Sequence, residues 1–314
     1  MKSIVTLSPL LSLVQLAIPA AGHIGAYGPG MYCRGGADPN VDNQNANDVS
    51  QPLFNVTKRV WWMHAENGCD KLPPPAGEFL ELPSGGQVTL ELATNRAFTT
   101  TSTQPLRLGV FGNGEDFIFP EHVSEEGCVW EPNLHTKSEA EAAGTVLAIS
   151  YASRVQDTSD INLSVISVAY NTPWRRLANY SIPLLPPCGV DGCICAWGWV
   201  PLGCGRPDMY MQPFRCKVVG ENAIVTTYKV RPKSAKPPVW CQDDSTKCVK
   251  GAKQMIYYNQ LDGNNIDLTG KNNEGNPRKP AYDMRYGYAN GAQWDVIDET
   301  LIPDMLKNLL PGHQ

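Results

Sequence analysis

Apolar and polar residues alternate in short runs along most of the chain, and this period of two predicts β-strands. In one such run Val88, Leu90 and Leu92 alternate with Thr89 and Glu91. Gly, Pro, Asn or Asp bounds each run, as expected at the turns between antiparallel strands. The predicted strands cover residues 88–92, 106–110, 146–151, 163–170, 194–200, 210–219 and 223–230. The pattern indicates an antiparallel all-β domain, either a sandwich or a barrel.

The composition agrees with a protein of strands and loops. Charged residues make up 18% of the chain, whereas 28 glycines and 26 prolines are present. The formal net charge is -5, which argues against a nucleic-acid partner, because such proteins present a basic face.

The first 22 residues have the features of a secretory signal. Lys2 supplies a basic start, an apolar stretch follows, and residues 19–22 are small at the positions that a signal peptidase reads. The apolar stretch is short for a membrane span and ends in a cleavage motif, so a membrane anchor is the less favoured interpretation. We therefore expect cleavage before His23, a secreted extracellular protein, and no membrane partner.

Ten cysteines support export, since an even number of cysteines in an exported chain implies disulfides. Cys241 and Cys248 are close in sequence and far from the others, so we expect them to close a local loop. Zinc is the competing interpretation, but the spacing of Cys193 and Cys195 does not match a zinc-ligand repeat. Three sequons, at Asn55, Asn162 and Asn179, are consistent with a glycoprotein.

A change of composition near residue 231 predicts a boundary between a main domain, 23–230, and a C-terminal extension, 231–314. Residues 231–238 are rich in proline and indicate a linker or strap. The rest of the extension is polar, with few aliphatic runs. We expect it partly to wrap the main domain or to be poorly ordered; a small glycan-binding appendage is the alternative.

The sequence contains few residues for conventional catalysis. No GxSxG, GxGxxG or P-loop motif occurs, so neither a serine hydrolase of that type nor a nucleotide-binding enzyme is indicated. The acids Glu121, Glu125, Glu126 and Glu131 leave a glycoside-hydrolase pair open, although such clusters are usually solvated loops.

His23 is different, because cleavage before it would free its α-amine. An α-amine has a pKa of about 7.7–8.0 and is therefore a metal ligand near neutral pH. With its own imidazole Nδ1 and one further imidazole, it forms a three-nitrogen set. Three nitrogen ligands in a T-shaped, tetragonal arrangement favour Cu(II).

The further imidazole must come from one of the remaining four histidines. His313 lies at the chain end, and His64 follows an aromatic stretch that predicts a buried strand and a structural histidine. His122 and His135 lie on loops, which commonly carry ligands. We favour His135, with His122 as the reserve.

These residues lie within a wider resemblance to the fungal auxiliary activity family 14 of lytic polysaccharide monooxygenases, which covers most of residues 23–220. The similar blocks are His23 with residues 28–33, 77–83, 132–136, 142–151, and above all 193–201 followed by 204–205 and 209–212.

The resemblance implies an immunoglobulin-like or fibronectin III-like antiparallel β-sandwich with long loops. It implies one copper ion held by His23 and His135, with Tyr210 at the axial position. Gln212 shares a strand face with Tyr210 and is a candidate for hydrogen bonding around the metal. The implied partners are an insoluble polysaccharide, namely xylan associated with cellulose, and an external electron donor, and we expect a monomer.

Two other functions remain open at this point. The chain could bind copper for delivery or storage without oxidising a polymer. Relatives of that kind end in an apolar anchor signal, and residues 309–314 do not resemble one, so we favour the enzyme. The second is a glycan-binding or wall-associated protein without a metal.

Overall fold

Two β-sheets lie face to face, and most of the alternating runs in the sequence belong to them. The computed structural model describes residues 23–103, 127–131, 134–204, 208–220, 223–228, 230–298, 300 and 302–307. The predicted strand at 106–110 and the proposed signal, 1–22, lie outside these residues.

The eleven strands of the described residues are short. They are β1 (Gly25–Tyr27), β2 (Leu80–Pro83), β3 (Gln87–Ala93), β4 (Val129–Glu131), β5 (Leu134–Thr136), β6 (Thr145–Ser150), β7 (Ser164–Ala169), β8 (Leu177–Ser181), β9 (Cys193–Trp199), β10 (Tyr210–Val219) and β11 (Gly291–Ala292). The α-helices are α1 (Lys58–Trp61), α2 (Ala223–Thr227) and α3 (Asp304–Lys307). The 3₁₀ helices are Asp48–Ser50, Trp62–Asn67, Cys69–Lys71, Arg96–Phe98, Val155–Asp157, Ser245–Lys247, Met284–Tyr286 and Trp294–Val296.

The strand order confirms the predicted all-β sandwich. One sheet has six strands in the order β11-β7-β6-β9-β10-β2, and the other has three in the order β1-β3-β8. A separate two-stranded sheet joins β4 and β5. Neighbouring strands are antiparallel except β2, which runs parallel to β10 at the edge of the larger sheet.

The main core fills the space between the two sheets. Trp197 and Phe214 of the larger sheet pack there with Leu92 and Tyr180 of the smaller one, and all four are fully buried. The indole Nε1 of Trp197 donates to the hydroxyl of Tyr180 at 2.8 Å, so the phenol is not left unpaired in an apolar region.

A second core lies on the outer face of the six-stranded sheet, where the C-terminal extension covers it. Val146 and Ala148 point outward to this core, whereas the alternate residues Leu147 and Ile149 point inward. Tyr282 and six other aromatic residues line this core from the extension, from the 57–67 region and from the segment after β1: Tyr32, Trp61, Trp240, Tyr257, Tyr286 and Tyr288. Residues 146–151 form a nearly continuous apolar run because both faces of β6 are buried.

The extension is joined to the sandwich by main-chain hydrogen bonds. Val165 N donates to Lys253 O at 2.9 Å, and β11 pairs with β7. Tyr282 accepts a hydrogen bond from Ile256 N at 3.0 Å through its hydroxyl. The described part of the extension therefore lies against the sandwich, while the boundary at residue 230 stays a prediction.

One predicted strand is wrong. Residues 223–227 form α2, and the chain continues with a hydrogen bond from Tyr228 N to Ile224 O. Ile224, Val225 and Tyr228 contact the main core, and their i, i+1, i+4 spacing matches a helical face. A short apolar run does not distinguish a strand from a helix by periodicity alone.

All ten cysteines form disulfides, namely Cys33–Cys69, Cys128–Cys204, Cys188–Cys193, Cys195–Cys216 and Cys241–Cys248. The predicted local loop between Cys241 and Cys248 is confirmed, and Cys193 and Cys195 are not zinc ligands. Among the described residues, the helices are too short or too polar to cross a bilayer.

Candidate metal centre

His23 directly precedes Ile24 and the first strand, so its position depends on how β1 is held. β1 pairs with the end of β3, with Gly25 opposite Ala93 and Tyr27 opposite Glu91. Ile24 is fully buried, whereas His23 is half-buried. The strand therefore begins at the end of the sandwich where β3 ends, and His23 lies at that end.

Gln212 of β10 holds β1 from the opposite sheet. Its Oε1 accepts a hydrogen bond from Ala26 N at 2.8 Å, and its Nε2 donates to Ala26 O. The two strands approach so closely that a Cβ at Gly25 would lie 3.2 Å from Gln212 Oε1 and 3.2 Å from Ser50 Cβ. Gln212 therefore fixes the backbone three residues after His23.

Tyr210 begins β10 and faces the same side of the sheet as Gln212, as its strand position predicts. Its ring stacks on that of Trp199, the residue opposite it on β9, with ring centroids 4.6 Å apart and ring planes inclined by 29°. The side chain is 5% exposed. Tyr210 lies just before Gln212 on β10, and His23 lies just before Ala26, the residue that Gln212 bonds. Tyr210 and His23 therefore lie at the same end of the sandwich.

His135 lies on β5, opposite Trp130 of β4, and is 8% exposed. Two links place this hairpin at the same end of the sandwich. Cys128, just before β4, is bonded to Cys204, which follows β9, and Val129 packs against Trp174, just before β8. The topology thus brings His23, His135 and Tyr210 to one end.

His64 is excluded as a ligand by its surroundings. It is fully buried, its Nε2 lies 2.7 Å from Asp48 O, and Nδ1 has no hydrogen-bond partner. Burial lowers the pKa of the imidazole from 6.5 to about 4, so the ring is neutral at ordinary pH. The predicted strand here is wrong: Met63 and His64 adopt left-handed conformations within a 3₁₀ segment. The predicted structural role agrees with the Asp48 contact.

The candidates for the second copper ligand are the histidines other than His23. His122 and His313, like the acids Glu121, Glu125 and Glu126, lie outside the described residues. Among the histidines that the structure describes, His64 has a structural role, and His23 and His135 stay the candidate ligands. No group of three or more His, Cys, Asp or Glu side chains capable of holding a metal occurs in the described part of the chain.

The predicted donor set, which is the freed α-amine of His23 with the imidazoles of His23 and His135, would fit copper. Two imidazoles and an α-amine are nitrogen donors, which suit copper, whereas zinc, calcium and magnesium sites generally use thiolates, more imidazoles or carboxylates.

Other residues that position this end were not apparent in the sequence. Ser50 donates to Thr94 O at 2.6 Å and contacts Gly25. Arg176 and Glu91 form a buried ion pair, and Glu91 also accepts hydrogen bonds from Thr100. An even cysteine count predicted disulfides but not which cysteines pair, and no local pattern distinguishes Ser50 or Glu91 from ordinary polar residues.

Comparison with known proteins gives an independent result. Residues 4–309 match the profile of the family described as lytic polysaccharide monooxygenase AA14. An AA14 family lytic polysaccharide monooxygenase B of Talaromyces rugulosus is 34% identical, with 93% of this chain and 99% of the relative aligned. Enzymes of the same description from Pycnoporus cinnabarinus and Trametes coccinea (strain BRFM310) are each 30% identical over 94% of this chain, and 76% and 68% of those proteins are covered. The chain therefore belongs to the AA14 family of lytic polysaccharide monooxygenases and is a copper-dependent enzyme that oxidises polysaccharide.

Proposed function

We propose that this protein is secreted, that its signal is removed before His23, and that the α-amine and imidazole of His23 hold one copper ion together with His135. The observation that carries the proposal is the clamp of Gln212 on Ala26. It fixes the start of β1 at the end of the sandwich where β5 presents His135.

The protein side chains hold the centre in place. The α-amine of His23 loses its proton near neutral pH and becomes a ligand. Tyr210 would lie beside the bound copper, and its stacking on Trp199 restricts the ring to one orientation. Gln212 acts through the backbone of β1, because both ends of its amide are bonded to Ala26. When bound, copper supplies one-electron chemistry with dioxygen or peroxide, driven by an external electron donor.

The proposed substrate is plant cell-wall polysaccharide, and within it xylan associated with cellulose. The family membership supports an insoluble polysaccharide as the partner. The narrower choice, xylan associated with cellulose, is what the resemblance to the family implies. We also propose that the secreted protein acts as a monomer.

The proposal is tested by N-terminal sequencing and metal analysis of the secreted protein, followed by product analysis. We expect a chain that begins at His23 and carries one copper per molecule. A variant with one glycine before His23, and the variant His135→Ala, should lose copper affinity and oxidised products.

The substrate is tested on xylan-coated cellulose, cellulose alone and soluble xylan, each with a reductant and a copper-free control. Oxidised xylan products from the coated material alone would support the proposal. Full copper affinity in the glycine-extended variant would contradict the ligand set. One bound copper without any oxidised polysaccharide would instead indicate a copper-delivery protein.

A further inference from the structure

A cleft of about 340 Å³ lies beside the segment that follows His135, between that segment and the C-terminal extension. The extension forms one wall and the segment after β5 forms the other. Its size is at the lower end of the range of about 300–1,000 Å³ for small-molecule sites, which suits a sugar substituent better than a polymer chain. The polar side chains that line it are Lys137, Glu141, Asn272, Asn276, Lys279 and Arg285.

The cleft has an excess of positive charge. Lys137 and Lys279 form no ion pair with any residue that the structure describes. Arg285 uses Nε and Nη2 to hold Asp283, and Glu141 accepts a hydrogen bond from Ser138 Oγ at 3.0 Å. Besides Arg285, whose charge is already paired with Asp283, the lining thus holds two lysines and one carboxylate, in a chain whose net charge is -5. An anion in the cleft would gain from both lysines.

The loop that precedes Lys279 is anchored. Asn272 Oδ1 accepts a hydrogen bond from Asn276 N at 2.8 Å, which closes the turn at one wall. Arg278 stacks on Trp240 at 4.7 Å and holds the same loop on the extension. A rigid loop lowers the entropic cost of binding a ligand.

Lys279 also approaches the sandwich. Its Nζ lies 4.0 Å from the place that a Cβ at Gly203 would occupy. Gly203 precedes Cys204, and the Cys128–Cys204 disulfide joins this loop to the hairpin of His135. The extension therefore places a cation against the loop that borders the proposed copper site.

The cleft is close to the proposed site along the other wall as well. Lys137 follows His135 by two residues, which corresponds to about 7 Å between Cα atoms in extended backbone. That span is comparable with one sugar unit. A substituent on a sugar next to the reacting bond is therefore within reach of the cleft.

We propose that this cleft binds the carboxylate of a uronic acid carried by the polysaccharide, so that the preferred substrates are acidic rather than neutral. The effect of this cleft on catalysis depends on the proposed function, because it requires the copper site next to the cleft. Ammonium and guanidinium groups form charge-assisted hydrogen bonds to a carboxylate, and the asparagine amides are suited to sugar hydroxyls. A neutral sugar would make only the second kind of contact.

The test measures binding and needs no turnover. The secreted full chain, with and without copper, is titrated with a xylo-oligosaccharide that carries one glucuronic acid and with the neutral oligosaccharide of equal length. We expect the acidic ligand to bind about fivefold more tightly at low salt, and this preference to shrink as salt is raised. The double variant Lys137→Gln, Lys279→Gln should lose the preference.

The matched control is Lys217→Gln, an exposed lysine near the opposite end of β10, which should keep the preference. Oligogalacturonate distinguishes a pectin-type uronic acid from the glucuronic acid of xylan as the source of the carboxylate. Equal affinity for the acidic and neutral oligosaccharides would overturn the inference. Polyglutamate binding as tightly as the acidic sugar would also overturn it, since the cleft would then be a general anion site.

Failure of the proposed function is a separate result. A protein that binds the acidic oligosaccharide in the predicted way but yields no oxidised product retains the cleft and loses the copper chemistry. A protein that oxidises polysaccharide without any preference for acidic ligands retains the function and loses the cleft.

Discussion

The side-chain amide of Gln212 bonds both main-chain groups of Ala26, accepting from the nitrogen and donating to the oxygen. Both residues are buried, so water cannot replace these hydrogen bonds if the amide is removed. The pair joins the two sheets at the point where the chain leaves His23. The position of His23, three residues before Ala26, is therefore fixed by hydrogen bonds within the core.

We expect Gln212→Met to destabilise the protein and to weaken copper binding. Two main-chain groups of Ala26 lose their partner, which should lower the free energy of unfolding by about 2–4 kcal/mol. Copper affinity should fall by at least tenfold, as for other residues that orient ligands. Denaturant unfolding of the copper-free protein and a copper competition titration measure the two effects.

The matched control for this variant is Gln293→Met. Gln293 is 3% exposed and donates to Ala289 O at 2.7 Å, but it lies beside β11. It should lose stability to a similar extent without a change in copper affinity. Equal loss of copper affinity in both variants would mean that Gln212 has no special role at the site.

Removal of the Cys128–Cys204 disulfide should affect the site more than the core. The bond closes a loop of 76 residues and fixes the hairpin that carries His135. The double serine variant should lose about 2–4 kcal/mol of stability and a large part of its copper affinity. Calorimetry measures the loss of stability, and copper titration measures the loss of copper affinity.

Removal of the Cys241–Cys248 disulfide provides the comparison. That bond spans seven residues, so its loss should cost less stability and leave copper binding unchanged. Normal copper affinity in the Cys128→Ser, Cys204→Ser protein would show that the hairpin holds His135 without the disulfide.

Much of the sandwich was predictable from the sequence because strand periodicity is a local property. The prediction for 210–219 matches β10, since Tyr210, Gln212 and Phe214 alternate with residues that face the second core. The strand prediction for 223–230 is wrong because the spacing of Ile224, Val225 and Tyr228 fits one face of a short helix as well as it fits a strand.

The candidate site was predictable in part for a different reason. His23 was identified from the proposed cleavage position, which is a sequence signal. The clamp on Ala26 links residues 186 positions apart, and no local pattern reports such a contact. His64 was assigned to a strand because its aromatic neighbours suggested burial, and burial alone does not specify backbone conformation.

His64 should make the stability of the protein depend on pH between about 4 and 6.5. Burial lowers its pKa from 6.5 to about 4, so the unfolded chain binds a proton in this range and the folded chain does not. The contribution of His64 to stability is thus complete above pH 6.5 and is lost as the pH falls towards 4. The loss should be on the order of 3 kcal/mol.

Comparison with His64→Gln isolates this contribution. The glutamine amide can donate to Asp48 O but does not titrate. The difference in unfolding free energy between the two copper-free proteins, measured from pH 4 to pH 7, cancels the contributions that the two proteins share. Parallel pH profiles for wild type and variant would contradict the assignment.

The C-terminal extension should be required for a soluble fold. Val146, Ala148 and Met211 face Tyr282 and its neighbours, so a chain that ends at residue 230 would expose the part of the second core that the extension covers. Contiguous apolar patches of more than a few hundred Å² promote association. We expect residues 23–230 to be secreted poorly, to bind a hydrophobic dye and to unfold without cooperativity.

A chain that lacks only residues 308–314 serves as the control, because it keeps every described residue, and it should behave like the full protein. A soluble, monomeric and cooperatively unfolding 23–230 fragment would show instead that the sandwich is stable without its aromatic cover, and the boundary at residue 230 would then separate two independent units.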